Sequence, residues 1–282
     1  MLRTIIVTHK TSRKFYTSNR ITNYAKMSKS ATRKKHLTVA YEEEDSKKTK
    51  FIPKNWQNVL DNVRQMRNDN DAPVDSMGCE KIADQSADEK TKRFQILIAL
   101  LLSSQTKDAI TFGACEKLKT FGFTPVHLAK ANLSEMEDIL KPVGFYKTKA
   151  KNVQKTSQIC VDEYQGDIPG TLDGLLKLPG VGPKMAHICM SVAWNIVSGI
   201  GVDIHVHRIA NRLQWTSKLT KDPEKTRMEL ESWLPFELWG EVNLLLVGFG
   251  QTICLPKSPK CDVCLNNKLC PSAFKESPKK KK

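Results

Sequence analysis

From Asn55 onward the chain takes on a helical period. Trp56, Val59, Leu60, Val63 and Met66 fall on one face at i, i+3 and i+4 spacing. Residues 68–92 show little periodicity, carry Pro73 and Gly78, and read as a long connection. Residues 94–102 are apolar except for Gln95, and their Leu and Ala content favours a buried helix over a strand. Further helices are predicted near 107–119, 134–141, 147–164, 171–177, 183–197, 204–214, 223–232 and 237–249. Alternating β-branched runs are nearly absent and the connections carry Pro and Gly, so the fold class is all-α. Two stretches rhyme: residues 141–150 and 178–186 each set a Pro/Gly hairpin before a lysine-bearing helix.

The 282 residues, 40% hydrophobic and 27% charged, suit one large or two small domains with a real core. No apolar run approaches the roughly 18 residues of a membrane span, and no membrane association is expected. With 14 Gly and 13 Pro, a fibrous or low-complexity chain is excluded. The net charge of +15 points to a polyanionic partner, nucleic acid first.

The distribution of that charge changes the picture. Residues 1–50 hold 13 Lys/Arg against 4 acidic residues, and residues 271–282 hold 5 against 1. That leaves a net of +2 on residues 51–270. The first 41 residues carry ten Lys/Arg and no Asp or Glu, with Ser, Thr and an apolar Ile5, Ile6, Val7, which is the composition of a mitochondrial transit peptide. Residues 29–36 (KSATRKKH) and the run 279–282 read as nuclear import signals or phosphate-binding arms, and Met27 offers a start that keeps Arg33-Lys34-Lys35. Residues 1–50 are expected to be a disordered basic targeting arm, with delivery to both nucleus and mitochondrion.

Candidate chemistry centres on Leu178-Pro-Gly-Val-Gly-Pro-Lys184. Pro183 suits the first position of a helix, and Gly180 and Gly182 make a tight turn before it: a helix-hairpin-helix. Such a turn lets backbone approach a phosphate and offers it free N–H groups and a positive helix end. Val181 is expected to point inward and hold the two helices together. Lys184 follows in the first turn, where lysine is disfavoured. It is either another phosphate contact or a nucleophile, since a partly desolvated amine at a positive helix end gives up its proton more readily. Asp203 stands where the next helix should start and reads as an N-cap, a role compatible with catalysis. His205 and His207, two apart, do not form a metal site.

Of eight cysteines, Cys79, Cys115, Cys160 and Cys189 are scattered and read as buried thiols. Cys254, Cys261, Cys264 and Cys270 lie close together as C-x6-C-x2-C-x5-C. Four thiolates so close indicate a metal site, and spacing alone permits zinc or iron–sulfur.

L-P-G-V-G-P-K, followed downstream by Val202-Asp203-Ile204-His205, resembles the helix-hairpin-helix Gly/Pro…Asp superfamily of DNA glycosylases, above all the eukaryotic endonuclease III-like family. The block Leu101-Leu-Ser-Ser-Gln-Thr-Lys-Asp108 and the four cysteines match further family motifs in order, over roughly residues 55–272. Ile204 departs from the family's usual Thr.

The resemblance implies two packed helical domains. Residues 91–212 would form a six-helix barrel bearing the hairpin. Residues 51–90 and 213–272 would form a discontinuous iron–sulfur domain, with the catalytic cleft between the two and a basic tail at 273–282. It implies a bifunctional DNA N-glycosylase and AP lyase of base excision repair, acting as a monomer on double-stranded DNA holding a damaged pyrimidine or an abasic site. Lys184 would attack the sugar, Asp203 would assist, and β-elimination would nick the strand. The family's cluster is four-iron four-sulfur, on Cys254, Cys261, Cys264 and Cys270; the loop it folds would present Lys257 and Lys260 to phosphate.

Gln105 matches the residue that fills the gap left by the flipped base, and Phe145 the wedge beside the opposite strand. Their alternatives are a cap or helix bridge for Gln105 and core packing for Phe145. DNA contacts are expected at Gln105, Phe145, Leu178, Gly180, Val181 and Gly182. A non-catalytic DNA-binding module would use Lys184 only as a phosphate contact. Adenine-mismatch glycosylases lack the lysine and carry a further C-terminal domain, whereas this sequence runs from Cys270 only to Lys282. The 8-oxoguanine glycosylases generally lack the cluster.

Overall fold

The computed structural model describes residues 51–275, so the arm at 1–50 and the run 279–282 lie outside the described residues. All the described elements are helical and belong to one compact unit. They are α1 (Trp56–Met66), α2 (Pro73–Met77), α3 (Cys79–Ile82), α4 (Glu89–Ser103), α5 (Asp108–Phe121), α6 (Pro125–Lys130) and α7 (Leu133–Leu140). There follow α8 (Tyr146–Tyr164), α9 (Leu172–Leu176), α10 (Pro183–Trp194), α11 (Ile204–Arg212), α12 (Pro223–Trp233), a 3-10 turn (Phe236–Leu238) and α13 (Trp239–Thr252). Among the described residues no helix is long and apolar enough to cross a membrane.

Caps explain most of the starts. Asp88 accepts from the N–H groups of Lys90 and Thr91 at α4, and Asn132, Thr171 and Asp222 do the same work at α7, α9 and α12. Every residue of α4 from Phe94 to Leu102 is buried, so the helix is apolar all round because it is surrounded. Gln95 is the exception in type. It is 3% exposed, accepts from the Asp84 N–H at 2.7 Å and donates to the Phe123 carbonyl at 3.2 Å, so its burial leaves neither end of the amide unmet.

Two hydrophobic cores form. The first gathers Ile82 to Met190 around α4, α8 and α10. The second joins Val59, Leu60 and Val63 of α1 to residues 200–249 on α11, α12 and α13. In it Trp233 meets Trp56 and Trp215 edge-on, with centroids at 5.4 and 5.7 Å, and donates to the Trp215 carbonyl. The cores divide the chain differently from the boundaries expected of the sequence. α11 lies within the expected 91–212 barrel but buries Val206, Ile209 and Ala210 in the second core. Ile82 and Ala83, expected with the cluster domain, join the first.

Residues 68–92 are not one long connection. They hold α2, α3 and the first turn of α4. Asp75 accepts from the Ala72 N–H at 2.9 Å, Pro73 opens α2, and burial of Ile82 anchors α3. α6, also absent from the sequence expectation, starts at the Thr124 cap and Pro125. One or two turns are too short for a hydrophobic period to show.

Arg67 ties α1 to this region. Its Nη2 lies 2.6 Å from both oxygens of Asp75, whose side chain is 10% exposed, and Gly248 of α13 packs against the guanidinium. Removing the cation strands a nearly buried carboxylate. Arg67→Ala is expected to destabilise the protein by roughly 3–5 kcal/mol, read as a fall in the urea midpoint.

Candidate active site

A cleft of ≈1640 Å³ runs where the two cores meet. The starts of α10 and α11 both reach it. Gly180, at φ +81°, turns the chain out of α9, and an added Cβ there would come 2.5 Å from Asn152 Nδ2 of α8. The position therefore needs glycine for both conformation and space. Gly182 then stands before α10 in extended backbone, with Pro183 first in the helix. Gly180 is exposed and Gly182 half-buried. Leu178 and Val181 are 4% and 8% exposed and belong to the first core, and their N–H groups donate to the Leu175 and Leu178 carbonyls within the turn.

α10 begins without a side-chain cap and without an acidic residue in its first turn. The same is true of α8, its partner in the sequence rhyme. Such ends keep their first N–H groups available to an outside acceptor.

Lys184, half-buried, lines the cleft one residue into α10. Gly201 packs against the Lys184 backbone, which brings residues 199–203 alongside the start of α10. Asp203 caps α11 and also lines the cleft. Its Oδ1 accepts from the N–H groups of His205 and Val206, both at 2.8 Å, and Oδ2 takes no part in the cap. Ile204, next to it, is 69% exposed.

Gln105 lines the other wall and is exposed at φ +51°. Phe145 is 66% exposed at φ +57° and stands at the N-cap of α8, which disposes of the core-packing reading. Both residues hold a left-handed backbone that costs a non-glycine residue roughly 1–2 kcal/mol.

Several cleft residues carried no sequence signal. Gln251 of α13 donates to Asp108 Oδ2 at 2.7 Å and accepts from the Val74 N–H, joining three elements at the cleft wall. His187 sits one turn beyond Lys184, with Nδ1 3.0 Å from Ser198 Oγ, and burial pulls its pKa down. Asn243 donates to the Gly201 carbonyl, steadying the strand of chain that leads to Asp203. His205, which also lines the cleft, pairs with Arg208, and His207 pairs with Thr226.

The four late cysteines are half-buried, and Cys254, Cys264 and Cys270 pack against the second core. Donors meet their sulfurs: Arg212 Nη1 lies 3.3 Å from Cys254 Sγ, the Phe274 N–H points at Cys261 Sγ at 3.5 Å, and the backbone of Asn266 and of Ser272 serves Cys264 and Cys270. Burial pushes the Cys264 thiol up to about 11. Among the described residues no three of His, Cys, Asp and Glu converge as they would on one ion. Cys79, Cys115 and Cys160 are thiols of the other core, pushed up to about 12 by burial.

Comparison with known proteins agrees with this geometry. The model for the HhH-GPD superfamily base excision DNA repair proteins matches residues 98–236. Endonuclease III-like protein 1 of Gallus gallus is 50% identical over 244 residues, spanning 86% of this chain and 87% of that one. Its Bos taurus counterpart is 54% identical over 221 residues, spanning 78% and 72%. A solved trapped endonuclease III–DNA covalent intermediate superposes with a TM-score of 0.68 at 31% identity, covering 78% of this chain and 96% of that one. The chain belongs to the endonuclease III-like family of this superfamily, DNA glycosylases with AP lyase activity that serve base excision repair.

Proposed function

We propose that the enzyme removes oxidised pyrimidines from double-stranded DNA and cuts abasic sites, with Lys184 as nucleophile and Asp203 as its partner. The observation that carries this reading is that Lys184 and Asp203, at the starts of two different helices, line one cleft with an uncapped hairpin beside it. The hairpin's backbone N–H groups hold a phosphate without reading sequence. A flipped nucleotide then enters the cleft.

The neutral amine of Lys184 attacks the sugar C1′. The bond from C1′ to the base breaks, the base leaves with the electron pair and takes up a proton, and ring opening gives a Schiff base. Asp203 Oδ2, free of the cap, receives the proton that Lys184 sheds and faces the positive charge on the sugar. Loss of a C2′ proton then breaks the C3′–O3′ bond, releasing the 3′ phosphate, and water frees the lysine. Gln105 fills the vacated stack and Phe145 wedges the opposite strand.

Borohydride trapping on a thymine glycol or abasic duplex tests this. Wild type is expected to give a covalent adduct and Lys184→Ala none. Asp203→Asn, which keeps an amide able to cap, should cost under about 1 kcal/mol of stability yet slow trapping by on the order of 100-fold. An adduct that survives Lys184→Ala removes the assignment. No adduct from wild type leaves a DNA-binding module in its place.

The four late cysteines are assigned a four-iron four-sulfur cluster. The support is chemical: each sulfur meets an N–H donor, as thiolate ligands of a cluster do, and a cluster whose irons each take one thiolate does not need three ligands on one point. When bound, the cluster supplies folding free energy to residues 254–270 and takes no part in bond making. It would hold Lys257 and Lys260, both exposed, toward phosphate. Purified protein should contain about four irons per chain and absorb near 400 nm, and Cys264→Ser should lose both. One zinc per chain and no visible band would overturn the assignment.

The first 41 residues, acid-free and basic, support delivery to mitochondria, and Arg33-Lys34-Lys35 with the run 279–282 supports delivery to the nucleus. A fluorescent fusion of residues 1–40 should enter mitochondria; a diffuse cytosolic signal would defeat the mitochondrial half.

A further inference from the structure

Lys149 of α8 is a lysine that the mechanism above does not use. It is 5% exposed, and among the described residues no carboxylate pairs with it. Its ammonium spends all three protons on the segment that follows α4. Nζ lies 2.8 Å from the Leu102 carbonyl, 2.5 Å from the Ser104 carbonyl and 3.1 Å from Thr106 Oγ1. That hydroxyl is in turn fully used: it donates to the Ser104 carbonyl at 3.2 Å and accepts from the Gly144 N–H at 3.2 Å as well as from Lys149. Gly144 precedes Phe145, and a Cβ there would lie 2.8 Å from the Gln105 carbonyl, so the two loops touch backbone to backbone.

We infer that Lys149 is a positioning residue that holds the Gln105 loop and the Phe145 loop as one rigid unit for insertion into DNA. The inference rests on the reading that Gln105 and Phe145 enter the duplex.

The physics is that of a buried charge with only dipoles for partners. A full ammonium in the interior is costly unless its protons are met. Here the three acceptors all lie in residues 102–106, so the loop cannot relax without stranding the charge. That obligation holds Gln105 in its left-handed conformation, and through Thr106 and Gly144 it reaches Phe145. Burial lowers the Lys149 pKa to about 8, the sign expected of an ammonium with no counter-charge. Lys151, two residues on, is exposed, so the effect belongs to Lys149 and not to the basic character of α8.

The test uses the full chain and a duplex with thymine glycol beside 2-aminopurine, whose fluorescence rises when the neighbouring base leaves the stack. Single-turnover trapping gives the chemical rate, and titration gives Kd. Lys149→Met keeps the stem and removes the charge. It should lower the rate of the fluorescence rise by about tenfold or more while Kd changes less than about threefold. Lys149→Arg, which keeps charge and donors, should recover part of the loss. In a Gln105→Ala, Phe145→Ala background, Lys149→Met should add less than about twofold, because both residues it serves are gone.

If Lys149→Met fails to fold, Thr106→Val removes only the bridging hydroxyl and should slow the rise by about threefold. If Gln105→Ala and Phe145→Ala leave the fluorescence rise at the wild-type rate, the reading of those two residues fails. If they slow it and neither Lys149→Met nor Thr106→Val does, or the Lys149 effect persists in full when both Gln105 and Phe145 are alanine, the positioning role fails.

Discussion

The buried end of α4 is the constraint on which the loops at Gln105 and Phe145 depend. An apolar helix threaded through a core must stop somewhere, and its last carbonyls then need donors that the core does not contain. Many helices meet this with a glycine turned into the left-handed region just past the end. Here the chain continues through Ser104 and Gln105: the Ser103 and Ser104 hydroxyls meet the Leu100 and Leu101 carbonyls, the Thr106 N–H meets that of Ser103, and Lys149 of another helix meets those of Leu102 and Ser104. The end of the central helix is thus capped partly by its own sequence and partly by a lysine from another helix. The residue left in the strained conformation at that corner is Gln105.

The same helix that supplies Lys149 touches two other loops, those proposed with Gln105 to meet DNA. Phe145 is its N-cap, and Asn152, one turn beyond Lys149, fills the space beside Gly180 of the hairpin. Three loops far apart in sequence, at Gln105, Phe145 and Gly180, are referred to one rigid rod. Across the cleft, the positions of Lys184 and Asp203 follow from where α10 and α11 begin. A helix start is fixed by its first bonds, so a residue placed there is located by backbone geometry to within a fraction of an ångström. Asp203 uses one oxygen to start its helix and keeps the other outside the cap, so the structural and catalytic readings of that carboxylate are compatible.

How much of this was legible depended on the length over which each signal acts. α4, α10 and α11 are read from nine or more residues of apolar pattern with Pro or Asp at the start, and the hairpin from a local Gly-x-Gly. α2, α3 and α6 have four to six residues, less than the window in which a period can be counted. Phe145 was ambiguous in sequence because an aromatic side chain suits a core as well as a wedge. The left-handed backbone at 145 decides it, and nothing in a one-letter code reports φ. The link between Gln251 and Asp108 spans 143 residues and exists only because α13 and α5 pack near the cleft. Lys149 had a signal that was not followed: with Val153, Thr156 and Cys160 it falls on one stripe, and all four are buried. A lysine on an apolar stripe signals a buried ammonium that must have found oxygen atoms.

The charge of the chain completes the argument. Its +15 suggests broad electrostatic adhesion to DNA, yet residues 51–270 carry only +2. Within them, residues 141–215 hold 9 Lys/Arg against 5 acidic residues, while 51–140 hold 11 against 13. The bias falls on the segment with α8, the hairpin and α10. One of those nine cations, Lys149, is buried and faces protein, so it adds nothing to attraction at the surface. The folded region therefore carries little net charge for sequence-independent attraction, and under the proposed function affinity there comes from oriented N–H groups at α8 and α10 and a few placed cations. Those contacts act only at close range and in one register. On that proposal the enzyme depends on shape where its net charge suggests adhesion, and the rigidity of its loops counts for more than the number of its lysines.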